Sequence, residues 1–323
     1  MDPDRIVVLA GGVGGAKFVR GLRALGRRDP ARSPEITVVA NTGDDLWLAG
    51  LRVTPDLDSL MYALAGVNDE QRGWGREGET ERVSAELTAY GVGWPWFTLG
   101  DLDLGTHIAR SAMLRDGLPL SAVVARLSAR WPLGVRLLPA TDDEVETHVV
   151  TAEGELHFEE WWVRTRAALP ALAFLQHGVE TAEAAPGVRE AILGADVVLV
   201  APSNPVVSIG TVLGIPGIRE ALAETAAPVV GLSPVIGGAV VRGMADACLT
   251  AIGVETDAAA IARHYGARAD GGLLDGWLVD EADASAAEAL AGTGIRAAAV
   301  PLWMTDDDAT AEMAAAALRL AGR

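Results

Sequence analysis

Residues Ile6-Val7-Val8-Leu9-Ala10 run directly into Gly11-Gly12-Val13-Gly14-Gly15-Ala16-Lys17, and this junction constrains the fold more than any other stretch. An unbroken apolar run of this length reads as a strand buried on both faces. Phe18, Leu22 and Leu25 then take up a helical spacing, so the segment predicts a strand, a tight glycine turn and a helix. The helix N-terminus offers free N–H groups and a partial positive charge, which is a seat for phosphate. Glycine lets the backbone approach such a ligand closely. Gly12, Val13, Gly14, Gly15 and Lys17 are therefore candidate nucleotide-binding residues. The motif is of neither standard type. Lys17 stands where a dinucleotide fingerprint has its third glycine, and Phe18 stands where a Walker loop has Ser or Thr.

A second apolar run, Ile36 to Ala40, follows at the spacing of a βαβ unit. It ends in Asn41-Thr42-Gly43-Asp44-Asp45, ahead of a helix opening at Pro55-Asp56-Leu57-Asp58 with Leu57, Leu60, Met61 and Leu64 on one face. After Pro186 the rhythm returns, with apolar runs at 197–201, 229–232, 274–279 and 297–302 between Ala-rich helical stretches. The middle differs: it holds six of the nine tryptophans and a hairpin of 147–151 and 156–158 turning at Glu153-Gly154. The expected architecture is α/β, a Rossmann-like three-layer core with a mainly parallel sheet. Residues 1–66 and 185–323 form that core, and a mixed α+β insertion at 67–184 caps the strand ends. Ligands of such sheets lie beyond the carboxyl ends of the strands, at the switch point. The loops after Ala10, Ala40, Ala201 and Leu232 are the ones to inspect.

Composition narrows the function. A net charge of −18 repels polyanions, so nucleic acid and anionic membrane surfaces are excluded as partners. The only cysteine, Cys248, forbids an internal disulfide and fits a reducing cytoplasm. Its neighbours Ala247 and Leu249 mark it as a small buried hydrophobe. Residues 197–218 are uncharged and long enough to span a bilayer, but Pro202, Pro205 and Pro216 interrupt them, so no membrane segment is expected. Charge at Asp2, Asp4 and Arg5 precedes only a short apolar run, so no targeting segment is read and the expected location is cytoplasmic. A homodimer is the default assembly.

Asp44, Asp45, Asp56 and Asp58 fall close together. A hard cation such as Mg²⁺ takes one or two carboxylates plus substrate phosphate oxygens, and Asp45 and Asp58 are the candidates for metal binding and catalysis. Asp56, after Pro55, reads as a helix N-cap. Asp101 and Asp103, in Leu99-Gly100-Asp101-Leu102-Asp103, read equally as helix caps or as a site, and His107 is a less specific candidate base. His148 and His157 flank the hairpin without metal-ligand spacing. Trp74 in Arg72-Gly73-Trp74-Gly75, with Trp94 and Trp96 in Trp94-Pro95-Trp96-Phe97, reads as a wall for a flat heteroaromatic ligand. Two uncharged loops, 201–205 and 233–238, add Ser203, Asn204, Ser233 and Gly237 to the nucleotide-binding candidates.

These motifs occur together and in order, along with His157-Phe158-Glu159-Glu160-Trp161-Trp162 and Leu273-Leu274-Asp275-Gly276-Trp277. In this the chain resembles the CofD/FbiA family of coenzyme F(420) biosynthesis, and within it the actinobacterial FbiA branch, from about residue 5 to the C-terminus. The resemblance implies a Mg²⁺-dependent transfer to the deazaflavin FO. The donor is enolpyruvyl-diphospho-5'-guanosine, or the 2-phospho-L-lactyl ester in the archaeal branch. The ribityl hydroxyl of FO attacks the phosphorus bearing the small acid, GMP leaves, and dehydro coenzyme F(420)-0 results. By the same resemblance Asp58 contacts FO, and because a flat deazaflavin needs rings or aliphatic walls around it, Trp74, Trp96, Thr98 and Asp101 of the insertion are expected on the acceptor side. The chain departs from the family pattern at Thr98 and Leu102, where relatives carry basic residues. Lys17, Arg110 and Arg136 are candidates to supply that charge. A nicotinamide oxidoreductase is disfavoured because the second strand ends in Asn41, where an acidic residue normally holds the ribose. A non-catalytic nucleotide-sugar-binding regulator on the same fold is the other alternative.

Overall fold

A computed structural model describes residues 4–30, 33–92 and 96–323. Its centre is a seven-stranded sheet. In chain order its strands are β1 (Arg5–Ala10), β2 (Glu35–Ala40), β3 (Arg136–Pro139), β7 (Val197–Val200), β8 (Val229–Leu232), β9 (Gly276–Val279) and β10 (Arg296–Ala299). Between β3 and β7 the chain forms a separate three-stranded antiparallel sheet of β4 (Glu146–Thr151), β5 (Gly154–His157) and β6 (Ala173–His177), with β4 in the middle. The main sheet has the order β10-β9-β8-β7-β1-β2-β3, and every pairing in it is parallel.

The alternation of β1 explains why the sheet is covered on both faces. Ile6, Val8 and Ala10 enter one apolar cluster, with Phe18, Leu22, Leu57 and Leu60 from α1 (Gly12–Arg28) and α2 (Pro55–Ala65). Val7 and Leu9 enter the other, with Val188, Ile192, Val212 and Ile261 from helices on the opposite face. Each fully buried Val, Leu or Ile contributes roughly 1.5–3 kcal/mol relative to exposure. A strand that is apolar at every position can form only between two such layers.

The stretch expected as an insertion is not wholly one. Its segment Arg136–Pro139 is the edge strand β3, paired from Thr37–Arg136 to Ala40–Pro139 along β2. It reads as loop in the sequence because it is short and ends in Pro139. The pairing works because an edge strand tolerates proline on its open side. The hairpin forms as β4 and β5, and β6 adds a third strand that sequence reasoning did not anticipate. Cys248 is fully buried and burial pushes its thiol up to about 12, so it packs as a small hydrophobe. No helix among the described residues is long and apolar enough to cross a membrane.

Helix α1 lies against α3 (Asp307–Leu320) through Gly21. A Cβ at Gly21 would stand 2.7 Å from the carbonyl carbon of Thr310, closer than packed atoms allow. Gly21→Ala gains helix propensity of up to about 1 kcal/mol but overpacks this contact, which costs about 1–3 kcal/mol. Overpacking should win. Urea denaturation is expected to show a lower midpoint with an unchanged slope; an unchanged or higher midpoint would mean that the two helices slide apart freely.

Candidate active site

The sheet grows outward from β1 in both directions, so the loops after β1 and β7 diverge and leave a crevice at the switch point. Those two loops are tied together. Ser203 Oγ donates to the carbonyl of Gly11 at 2.7 Å and accepts the Gly11 N–H at 3.1 Å. Gly14 permits the close approach, since a Cβ there would lie 2.8 Å from the Pro202 carbonyl oxygen. Above the tie opens a cavity of about 610 Å³. Gly12, Val13, Gly14 and Lys17 form its floor at the start of α1, with Ser203, Asn204 and Ser233 beside them. Trp74, Trp96 and Thr98 face it from the middle of the chain.

Acidic side chains crowd one wall. Asp44, Asp56 and Glu159 line the cavity and are all buried. Burial, then Asp56 and Glu159, hold Asp44 well above the ordinary carboxylate range. Burial pushes Asp56 up to about 6, against the opposing hydrogen bonds from Asn41 and the Gly12 N–H. Burial and the neighbouring Asp56 push Glu159 up to about 8. One oxygen of Asp44 is buried with no hydrogen-bond partner among the described residues. No ion pair to any of the three is formed among the described residues. Three buried carboxylates sharing a site without a cation cannot all ionise at low cost.

A second acidic group beside it has its own partners. Asp58 Oδ1 accepts from Arg110 Nη2, and Asp58 Oδ2 accepts from Thr54 Oγ1 at 3.2 Å. Arg110 Nη1 reaches His107 Nδ1 at 2.9 Å, and Tyr62 donates to Asp103 Oδ1 at 2.6 Å. His107 Nε2 stands 3.2 Å from Asp103 Oδ1 but without hydrogen-bond geometry. Burial raises Asp58 despite Arg110 and His107. The same burial acts on Asp103, but His107, Tyr62 and Arg110 outweigh it and leave Asp103 below its ordinary value. Asp58, Asp103 and His107 bring ligand atoms within 4.8 Å of one another, but Arg110 already pairs with Asp58.

Several sequence expectations move. Asp45 is buried but is not on the cavity wall; its neighbour Asp44 is. The reason is the turn, in which Asn41 Oδ1 accepts the Gly43 N–H at 2.9 Å and successive side chains leave in different directions. Asp45 lies instead where Arg52 and Arg110 partly offset its burial. Asp56 is not the cap of α2, because Thr54 holds that place; its carboxylate turns to Asn41 Nδ2 at 3.0 Å. Asp101 is off the wall and binds the Thr80 N–H and hydroxyl, while Asp103 faces the cavity. Gly237 is also off it, its N–H given to Asp283 at 2.8 Å. Gly15 packs behind the floor, where a Cβ would meet Ala10 Cβ and Ser203 Oγ at 2.9 Å. Asn204 lines the cavity but spends its Oδ1 on the N–H groups of Val206 and Val207. Arg136, at the start of edge strand β3, is not on the wall. Trp94 lies outside the described residues.

Glu159, Trp162, Arg242 and Trp303 line the cavity and were missed as site residues. Glu159 and Trp162 stood in a quoted motif, and the buried acid in it was the available signal. Trp303 follows the last apolar run and is exposed. Arg242 lies in a short glycine-flanked loop with no signal of its own. Lys17 and Arg242 form no ion pair among the described residues, which leaves two cations at the cavity able to meet an anionic ligand.

Comparison with known proteins agrees with this architecture. Residues 6–316 match the family described as 2-phospho-L-lactate transferase CofD. A protein from Streptomyces griseus named phosphoenolpyruvate transferase is 60% identical over 321 residues, covering 98% of both chains. Proteins of the same name from Thermobifida fusca and from Mycobacterium sp. (strain KMS) are 59% and 53% identical, again over 98% of this chain. Among solved structures, protein BH3568 from Bacillus halodurans superposes with a TM-score of 0.63 at 19% identity, covering 98% of this chain and all of that one. The likeness to BH3568 shows the fold alone.

The acidic wall sets a pH dependence. Glu159 binds a proton more tightly in the folded chain, at about 8, than its ordinary value of 4.5. Between those values the folded state holds more protons than the unfolded one, so stability falls as pH rises through that window. Glu159→Gln removes the titration. In protein freed of metal, the melting temperature of the wild type should fall between pH 6 and 9 more than that of Glu159→Gln, by the equivalent of about 1 kcal/mol or more. Parallel curves for the two proteins would show that Glu159 is solvated.

Proposed function

The chain belongs to the CofD family of transferase enzymes, and from that premise we propose that it moves an enolpyruvyl-phosphate group from enolpyruvyl-diphospho-5'-guanosine to the deazaflavin FO. The observation that carries this reading is the mixed lining of the cavity, which joins the glycine floor of α1 and uncharged βα loops to the rings of Trp74, Trp96 and Trp162. A helix N-terminus and nearby Lys17 suit a diphosphate. Aromatic rings with few charges suit a flat deazaflavin. The relatives' name, phosphoenolpyruvate transferase, supports the enolpyruvyl over the lactyl group.

The residues present fit Mg²⁺. Asp44, Asp56 and Glu159 are uncompensated carboxylates beside the floor, one with an orphaned oxygen, and oxygen-rich partial shells completed by phosphate are what this ion takes. Asp44 and Asp56 would hold it, and it would supply neutralisation of the diphosphate charge. In this reading Asp44 and Asp56 replace Asp45 and Asp58 as the metal candidates, and Asp58 keeps its role toward the acceptor.

Phosphoryl transfer depends mostly on positioning and charge stabilisation. The glycine floor and Lys17 place the diphosphate, with the group to be transferred facing the aromatic side. Asp58, fixed by Arg110 and Thr54, accepts a hydrogen bond from the terminal ribityl hydroxyl and aims its oxygen at phosphorus. The new P–O bond forms as the bond to the GMP oxygen breaks, and GMP leaves with that electron pair. The hydroxyl proton passes to Asp58 or to water. The aromatic side keeps bulk water from competing with the acceptor.

GMP release that requires FO tests the reading. Asp58→Asn should fold, as judged by circular dichroism, and lose turnover by roughly 10²–10³ or more. Turnover near the wild-type level would return Asp58 to a purely structural pairing with Arg110. Trp74→Ala should raise KM for FO at least several-fold, the scale of a stacked ring worth about 0.5–1.5 kcal/mol, and leave GDP binding unchanged. If KM for FO holds, the acceptor does not lie against Trp74.

A further inference from the structure

Three of the five histidines in the chain fall on a single face of the small antiparallel sheet. On β4, Thr147, Val149 and Thr151 are buried, whereas Glu146, His148 and Val150 point outward. Register carries the pattern to both neighbours: His157 on β5 lies opposite His148, and His177 on β6 lies opposite Glu146. Residues two apart share a face, so Glu155 joins His157 on that surface. The outer strands thus bring Glu155 and His177 together over His148 of the central strand.

The side chains converge on one point. Glu155 Oε1 lies 2.9 Å from His148 Nδ1 and 2.6 Å from His177 Nε2, and ligand atoms of all three residues lie within 4.8 Å of one another. The rings of His148 and His177 meet edge to face with centroids 4.5 Å apart. Glu146 is outside the set, because Arg52 takes it at 2.6 Å. His157 is outside it too: its Nδ1 accepts the Glu159 N–H at 3.1 Å. The hydrogen bond from His177 holds the Glu155 carboxyl below its ordinary value, so Glu155 is present as the anion.

We propose that His148, Glu155 and His177 form a binding site for Zn²⁺ or a similar borderline divalent ion, separate from the cavity. Two imidazole nitrogens and one carboxylate oxygen, with a fourth position open to water, are a donor set that zinc accepts and that Mg²⁺ does not favour. With Zn–N near 2.0–2.1 Å, a tetrahedral ion separates its ligand atoms by roughly 3.3 Å. The two contacts of Glu155, at 2.9 and 2.6 Å, lie within about 0.7 Å of that spacing, and all three ligand atoms lie within 4.8 Å of one another. A bound ion would staple all three strands. Because β5 runs into Glu159 and His157 holds the Glu159 N–H, it would also stiffen the acidic wall of the cavity.

Titration calorimetry of Zn²⁺ into the full-length protein, stripped with a chelator, tests this against His177→Ala and His148→Ala. The wild type should bind one more equivalent than either variant, or bind it more tightly by more than the roughly 10–100-fold typical of losing a supporting partner. Millimolar Mg²⁺ should not compete, and Zn²⁺ should raise the melting temperature of the wild type more than that of either variant. His177 is half exposed, so His177→Ala keeps the test available if His148→Ala folds poorly. Equal stoichiometry and affinity in the wild type and His177→Ala would overturn the proposal, since any zinc bound would then sit at the buried acidic groups of the cavity instead.

Discussion

The two hydrogen bonds between Gly11 and Ser203 set where everything else at the crevice stands. They join the loop leaving β1 to the loop leaving β7, the strands between which the sheet changes direction. With the loops joined, Gly14 lies against Pro202 and the first turn of α1 faces the cavity. The neighbouring βα unit then brings Asp44 and Asp56 to the same edge. Losing the Ser203 hydroxyl would leave the buried Gly11 N–H unpaired, a cost of about 1–3 kcal/mol, and would leave the Gly11 carbonyl only the Gly15 N–H at 3.3 Å. A serine read as a ligand contact is therefore first a fastener.

The second constraint is electrostatic. A chain of net charge −18 that buries further carboxylates at its crevice is poorly arranged to receive an anionic donor unaided. Lys17 and Arg242 offset part of this, and Arg110 is already committed to Asp58. Asp44, Asp56 and Glu159 keep protons or take a cation. The same residues that disfavour a bare diphosphate favour one that arrives with a divalent ion. The separation from the Asp58 group follows from Arg110, whose guanidinium supplies one group with the charge the other lacks.

The α/β layering was legible because β7 and β8 are unbroken apolar runs, as β1 is from Ile6 on, and because β2 past Glu35 is interrupted only by Thr37. The crevice was legible from the glycine loop that β1 runs into. The insertion was less so. Edge strand β3 is four residues long and ends in proline, and β6 has no strong alternation. The choice between Asp44 and Asp45 depended on the rotation of one turn, and no periodicity encodes that. Asp101 and Asp103 were told apart only by the partners Thr80 and Tyr62, which come from other elements. The cluster of His148, Glu155 and His177 was invisible because β6, its third strand, is distant in sequence.

The central claim is that the glycine floor and the uncompensated carboxylates together form a seat for a nucleotide diphosphate with its metal. Calorimetric binding of GDP, with and without Mg²⁺, to the wild type and to Asp44→Asn measures this directly. The expected result is that Mg²⁺ strengthens GDP binding to the wild type by at least tenfold, about 1.4 kcal/mol, and that Asp44→Asn loses most of that gain while remaining folded. GDP affinity that is the same with and without Mg²⁺, or a Mg²⁺ effect undiminished in Asp44→Asn, would contradict it.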